Sequence, residues 1–344
     1  MKIIIDAMGG DYAPKEPVKG ALLAAADGTC DIALVGRGEE ILRCLEAENV
    51  TELPANFEIV NASEVIEMED DPAIACRRKK DSSMTVALKM LHDGLGDAVV
   101  SAGSTGALLS GATLIVKRIP GVRRAALAPV LPCAGGRVML IDCGANVECT
   151  PEYLLQFGYM GSYCMEKVYG IEKPRVGLLN NGTESTKGTP LQTAAYKLLQ
   201  NADEQGRIHF VGNIEARGVM MGECDVLVCD GFSGNILLKS IEGMGSFLLG
   251  ELKSAFYTNL KTKLGALLVK KDIYKLKDRF SSDSVGGTAL LGITRPVIKA
   301  HGSSNANAIY NAVKQAETAV NAGISGLIAQ NIDSMKVQSP EDAG

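Results

Sequence analysis

Five segments of the chain close a β-branched or aliphatic run with glycine and small polar residues. They are Asp6-Ala-Met-Gly-Gly-Asp11, Ser101-Ala-Gly-Ser-Thr-Gly106, Asp142-Cys-Gly-Ala-Asn146, Asn180 to Gly188 with Lys187 inside it, and Cys229-Asp-Gly-Phe-Ser-Gly-Asn235. Glycine lets main-chain N–H groups approach a ligand closely, and a helix starting just beyond adds partial positive charge. The chemistry this favours is holding an anion. The groups placed to do so are Gly9, Gly10 and Asp11, then Ser104, Thr105 and Gly106, then Asn146, Lys187, Ser233 and Asn235. A single loop of this kind reads equally well as a helix cap. Five at the carboxyl ends of strands are expected to converge on one rim, where open α/β sheets bind ligands.

Two nucleotide-binding fingerprints are not met. The P-loop pattern needs Gly immediately before its Lys, and Thr186 stands before Lys187. The dinucleotide pattern starts at Gly36 and Gly38 but has Ile41 where the third Gly belongs. His301 lies between a short apolar run and a helix, where an imidazole can hold an anion, move a proton or simply cap a helix. Asp6, Asp11, Asp142 and Asp230 could bind Mg²⁺, but they are read as orienting their loops. Arg77, Arg78, Lys79 and Lys80 form the densest basic cluster. Such a run is commonly a solvated face; the alternative is contact with phosphate or an acidic protein partner.

The elements that must position these groups follow an α/β rhythm. Strands are expected at 2–6, 31–35, 57–60, 97–101, 126–131, 138–142, 175–180, 208–212 and 226–230. Amphipathic stretches at 17–26, 84–91 and 303–320 read as helices, so the sheet is mostly parallel with helices on both faces. Gly135-Gly136 between two of the strands predicts a hairpin, which makes the sheet mixed. Residues 247–277 lack strand signals. Helices at 235–256 and 259–270 with a basic stretch at 270–277 are expected there, with Leu264, Leu267, Leu268 and Val269 among lysines. This hairpin either packs in a dimer interface or touches anionic lipid.

Composition bounds the rest. The 344 residues are 46% hydrophobic and 22% charged, with net charge −5, 38 Gly, 9 Cys and no Trp. That excludes a disordered, collagenous or coiled-coil chain and gives no global basic surface for nucleic acid. An odd cysteine count without C-x-x-C spacing argues for a reducing compartment and against a disulfide framework or a zinc site. No apolar run approaches the ~20 residues needed to cross a bilayer, so a soluble protein is expected. The opening run 2–6 is too short for a signal segment. Residues 1–330 are read as one two-lobed unit and 331–344 as a polar tail that frays.

The ordered set of motifs resembles the bacterial phosphate acyltransferases of phospholipid synthesis. The opening Asp6–Asp11 signature carries the likeness, with residues 77–83, 101–108, 142–146, 180–188, Gly212 to Arg217, 225–239 and 285–303. Ser104 replaces an expected Asn, Glu148 an Asp, Asn181 an aliphatic residue, and Gly218 follows Arg217 where an acid is common.

The resemblance implies a three-layer α/β/α fold similar to the isopropylmalate dehydrogenase-like group, which phosphotransacetylases share. It implies a homodimer with a cleft between lobes, and peripheral contact with the inner face of the membrane. The implied reaction converts fatty acyl-(acyl carrier protein) and inorganic phosphate into acyl phosphate, without cofactor or metal, for hand-over to a membrane acyltransferase. Phosphate is already an anionic nucleophile and a thiolate leaves readily, so the site must supply position and charge. On this reading Lys187 and the Ser104/Thr105 helix start hold phosphate. Asn180, Ser233 and Asn235 stabilise the thioester oxyanion, and His301 orients phosphate or protonates the departing thiol. An acyl-coenzyme A enzyme and a non-catalytic carrier-protein binding module are the alternatives.

Overall fold

Ile3, Ile4 and Ile5 leave no polar face on the first strand, and all three are buried. Ile3 and Ile5 enter the core on one face of a sheet, while Ile4 enters the core on the other. That is the pattern of a parallel strand covered by helices on both sides. The computed structural model describes residues 1–280 and 286–337.

Among these the strands are β1 (Lys2–Asp6), β2 (Asp31–Gly36), β3 (Phe57–Asn61), β4 (Ala98–Ser101), β5 (Ala126–Ala128) and β6 (Val130–Cys133). They continue with β7 (Gly136–Ile141), β8 (Arg175–Asn180), β9 (His209–Glu215), β10 (Val226–Val228), β11 (Thr288–Leu291) and β12 (Val297–Lys299). They form two sheets. The first, of seven strands, has the order β3-β2-β1-β4-β12-β11-β5, with β11 and β5 antiparallel to their neighbours. The second, of five strands, has the order β6-β7-β10-β8-β9, antiparallel only at the β6–β7 hairpin. Gly135 turns that hairpin at φ +80°, which a glycine adopts without strain.

The α/β class with a mostly parallel, mixed arrangement is as expected, but the strands divide between two sheets where one was foreseen. Pro129 marks the division. The expected strand 126–131 breaks there into β5, which pairs with β11, and β6, which pairs with β7. Proline has no N–H to donate, so a ladder changes partner there at little cost. Cys143 N still donates to Leu127 O at 3.0 Å and Leu140 N to Pro129 O at 3.0 Å. One extended segment therefore ties the two sheets together. β11 and β12, four and three residues long, were not among the strands expected from the sequence.

Helix Lys15–Ala26 lies on helix Ala306–Asn321, and a Cβ at Gly20 would meet Ile309 at 2.6 Å. Helix Pro151–Tyr169 fills the core of the second sheet with Leu154, Phe157 and Met160. Two long helices, Gly231–Phe256 and Leu260–Phe280, form the expected hairpin. The second runs through the basic stretch instead of ending near residue 270, and the first begins at Gly231, where the Asp230 carboxylate caps it.

Candidate active site

β1, β4 and β12 lie side by side, so Asp6, Ser101 and Lys299 end their strands within about 10 Å of one another. The Asp6 carboxylate is buried and accepts hydrogen bonds from Ser101 Oγ at 2.6 Å and Met8 N at 3.2 Å. Burial pushes its pKa up, against those hydrogen bonds and the nearby Lys299 charge. Gly9 packs directly on the next loop: a Cβ there would lie 2.5 Å from Gly103 N. Asp11 N donates to Gly302 O at 2.8 Å. Residues 6–11, 101–106 and 301–304 thus form one continuous edge.

Lys299 lies at the base of that edge. Its Nζ donates to the carbonyls of Ala102, at 3.3 Å, and of Ala300. Burial pushes its pKa down to about 8, the Asp6 and Asp11 charges pull it back up, and Lys239 lowers it. The exposed His301 ring accepts from Ser303 N at 3.3 Å and bonds Ser303 Oγ at 2.8 Å, both through Nδ1. With Nδ1 accepting, a neutral ring carries its proton on Nε2 and presents a donor.

The second sheet makes a matching edge after β7, β10 and β8. Asp142, fully buried, accepts from Leu127 N at 2.8 Å, Ala145 N at 3.3 Å, and from Asn146 through N at 2.6 Å and Nδ2 at 3.0 Å. Burial pushes its carboxyl up, and these donors oppose the shift. Gly231 N donates to Asn146 O at 2.7 Å, and a Cβ at Gly234 would sit 2.0 Å from Asp142 O. Asp230 accepts from Ser233 N at 2.9 Å, and the Asn235 side chain lies over Gly144. These carboxylates orient loops, as read from the sequence. Among the described residues no three His, Cys, Asp or Glu side chains stand together as a metal site.

The two edges meet through helix Gly231–Phe256. Its Lys239 acts on the pKa values of both Lys299 in the first edge and Cys143 in the second. The five loops accordingly do not share one rim of one sheet: two, with the His301 turn, belong to the first sheet and three to the second.

The remaining candidates fare differently. Ser104 is buried at the start of helix Thr105–Gly111 and its side chain makes no cap bond; Thr105 is exposed. Asn180 shapes its own loop, with Nδ2 donating to Lys187 O at 3.0 Å and Oδ1 accepting from Asn181 N at 2.8 Å. Lys187 is exposed, and no hydrogen bond or ion pair among the described residues joins it to Ser104 or Thr105. The basic cluster is not uniform. Lys79 is drawn away from any partner by Asp70 at 2.5 Å and Val65 O at 2.8 Å, while Arg77, Arg78 and Lys80 are exposed. Leu264, Leu267 and Leu268 are exposed on the hairpin. Cys143 and Cys229 are buried and their thiols are pushed well up, chiefly by burial, which makes them poor nucleophiles. The sequence reading missed Lys299 and Lys239. Lys299 had a legible signal, a cation ending an apolar run two residues before His301.

A half-buried cation beside glycine-rich strand ends, together with a second such edge, is an arrangement by which an α/β protein can hold an anion. The fold is that of the phosphotransacetylases. One from Streptococcus pyogenes superposes with TM-score 0.63 at 18% identity, covering 94% of each chain. The EutD phosphotransacetylase from Staphylococcus aureus gives 0.61 at 18% identity, again over 94% of each. A family model described as fatty acid synthesis protein matches residues 1–326. The phosphate acyltransferase of Oceanobacillus iheyensis is 46% identical over 336 residues, 97% of this chain and 98% of that protein. That of Brevibacillus brevis is 46% identical over 334 residues, 96% and 97% of the two chains. The chain belongs to this family, the phosphate acyltransferases among fatty acid synthesis proteins, and is an acyltransferase. The resemblance drawn from the loop motifs is borne out.

Proposed function

We propose that the enzyme forms acyl phosphate from fatty acyl-(acyl carrier protein) and inorganic phosphate, the first step toward phosphatidic acid. The observation that carries this reading is Lys299, a half-buried cation held at the base of the first edge, two residues from the exposed donor face of His301. A phosphate oxygen attacks the thioester carbonyl and forms the C–O bond. The tetrahedral oxyanion collapses, the C–S bond breaks, and the thiolate leaves and takes up a proton. The protein supplies charge and position for this sequence. Lys299 and the main-chain N–H groups of residues 104–106 hold phosphate, and Lys187 closes on it from the second sheet. His301 Nε2–H donates to phosphate or passes its proton to the departing sulfur. The remaining amide hydrogen of Asn180, with Ser233 and Asn235, stabilises the oxyanion.

The decisive assay measures acyl phosphate formation with acyl carrier protein and coenzyme A thioesters at equal concentration. Preference for the carrier protein is expected; equal or faster turnover of the coenzyme A ester overturns the donor assignment. The fold shared with phosphotransacetylases supports that second reading.

The two sheets work as one catalytic unit in this proposal, and the helical hairpin serves association. Leu260 and Leu268 are 78% and 87% exposed, and Lys253, Lys263 and Lys270 line a groove of about 580 Å³ between its helices. No helix among the described residues is long and apolar enough to cross a membrane. Exposed apolar and basic side chains together suit peripheral contact with anionic lipid on the cytoplasmic face, beside a second copy of the chain and a membrane acyltransferase that receives the product.

A further inference from the structure

A cavity of about 340 Å³ opens beside Asn146, where the two sheets adjoin. Arg77, Arg118 and Arg124 line it, together with the polar side chains of Ser110, Thr113 and Asn146. No carboxylate lines it. Among the described residues none of the three guanidinium groups enters an ion pair. Arg118 donates to the carbonyl of Arg123, and Arg124 stands 5.6 Å over the Tyr153 ring. Three like charges around one cavity, in a chain of net charge −5, repel one another unless an anion lies between them. Guanidinium forks match the oxygens of a phosphate group.

The backbone brings Arg118 there by an unusual route. Helix Thr105–Gly111 continues as a π-helical turn, Ala112–Lys117, and such turns recur at functional sites. It ends at Lys117 with φ +77°, held by Thr294 N to Lys117 O at 3.0 Å and Thr294 Oγ1 to Val116 O at 2.8 Å. The thirteen residues from Thr105 to Lys117 span about 20 Å at helical rise. Arg118 therefore lies at one end of this element and the Ser104–Gly106 edge at the other.

We propose that this cavity binds the phosphate ester of the acyl donor's pantetheine arm, apart from the inorganic phosphate that attacks. The assignment rests on the acyl-transfer reading above and names how its donor is recognised. Lys299 and His301 do not line the cavity, so the two anions have separate seats. An extended arm anchored at Arg118 runs along the helix toward the reacting edge.

The test compares wild type with Arg77→Ala and Arg77→Ala/Arg118→Gln. The donors are acyl-(acyl carrier protein), acyl-phosphopantetheine, and acyl-pantetheine, which lacks the phosphate. Arg77 has no partner among the described residues to lose, and the exposed Arg43→Ala serves as control. The expected result is a rise in KM of about tenfold for the first two donors in the single variant and more in the double. The KM for acyl-pantetheine and for inorganic phosphate stays unchanged. An equal loss with acyl-pantetheine, or a rise in the phosphate KM instead, overturns the proposal. Calorimetry separates it from the catalytic reading. Phosphopantetheine should bind wild type more tightly than pantetheine does, and Arg77→Ala should erase the difference. A wild type that makes no acyl phosphate from any donor overturns the function while this binding difference still decides the cavity.

Discussion

Ser101 Oγ donates a 2.6 Å hydrogen bond to the buried carboxylate of Asp6, joining residues 95 apart in sequence at the ends of neighbouring strands. The bond locks the two glycine-rich loops of the first edge together. Replacing Ser101 by Ala leaves the buried Asp6 carboxyl, whose pKa burial already pushes up, with one hydrogen-bond partner fewer. Loss of about 2 kcal/mol in urea unfolding at pH 7 is expected. Changing Asp6 as well, in Ser101→Ala/Asp6→Asn, should cost less than the sum of the two single changes, because the two groups share one interaction.

Lys299 sets a pH limit. Its folded pKa is lowered from the unfolded value to about 8, so the cation is present below pH 8 and fades as the pH rises. Phosphate-dependent kcat/KM should therefore fall above about pH 8. Lys299→Met should raise the phosphate KM at least tenfold and abolish that alkaline limb. The stability consequence has the opposite sense. The unfolded chain holds this proton more tightly, so the group penalises the fold below pH 8, and the penalty is relieved between pH 8 and 10.5. A wild-type profile flat to pH 9.5 would remove Lys299 from the reaction.

Lys187 is exposed in the loop after β8, and a Cβ at Gly182 would lie 3.0 Å from its Cγ. Lys187→Ala should leave the thermal midpoint unchanged while phosphate-dependent turnover drops about a hundredfold. Unaltered phosphate kinetics would confine this lysine to loop structure.

For the hairpin, flotation on vesicles containing anionic lipid is the measure. Leu264→Glu/Leu268→Glu places two carboxylates where leucines 60% and 87% exposed now stand. Flotation should be lost while elution volume and acyl phosphate formation are retained. Persistent flotation would assign those leucines to another contact.

Local information carried far in this protein. Ile3 to Ile5 announced a strand buried on both faces because three consecutive branched residues leave no side for water. β1 and β8 begin and end where the apolar runs do. The Asp6–Asp11 and Ser101–Gly106 loops were legible because glycine with small polar residues recurs at the ends of several apolar runs. The helix from Lys15 to Ala26 and the helix from Ala306 to Asn321 followed from their apolar stripes.

What the tertiary structure alone decided is non-local. β12 is three residues long and takes its place as a strand between β4 and β11, a pairing that its short apolar run does not specify. The split into two sheets depends on Pro129 finding different partners on its two sides. Lys299 differs from other lysines of this chain because burial between the Asp6 and Asp11 loops lowers its pKa to about 8, and burial is a property of the folded neighbourhood. Arg77 lies about forty residues before Arg118 and Arg124, and a π-helical turn and the junction of two sheets carry the three to one cavity. The sequence by itself determined the approximate positions of most strands, the glycine-rich loops and the family; packing decided the remaining strands and which charges face one another, because electrostatic environment depends on distance in space and not along the chain.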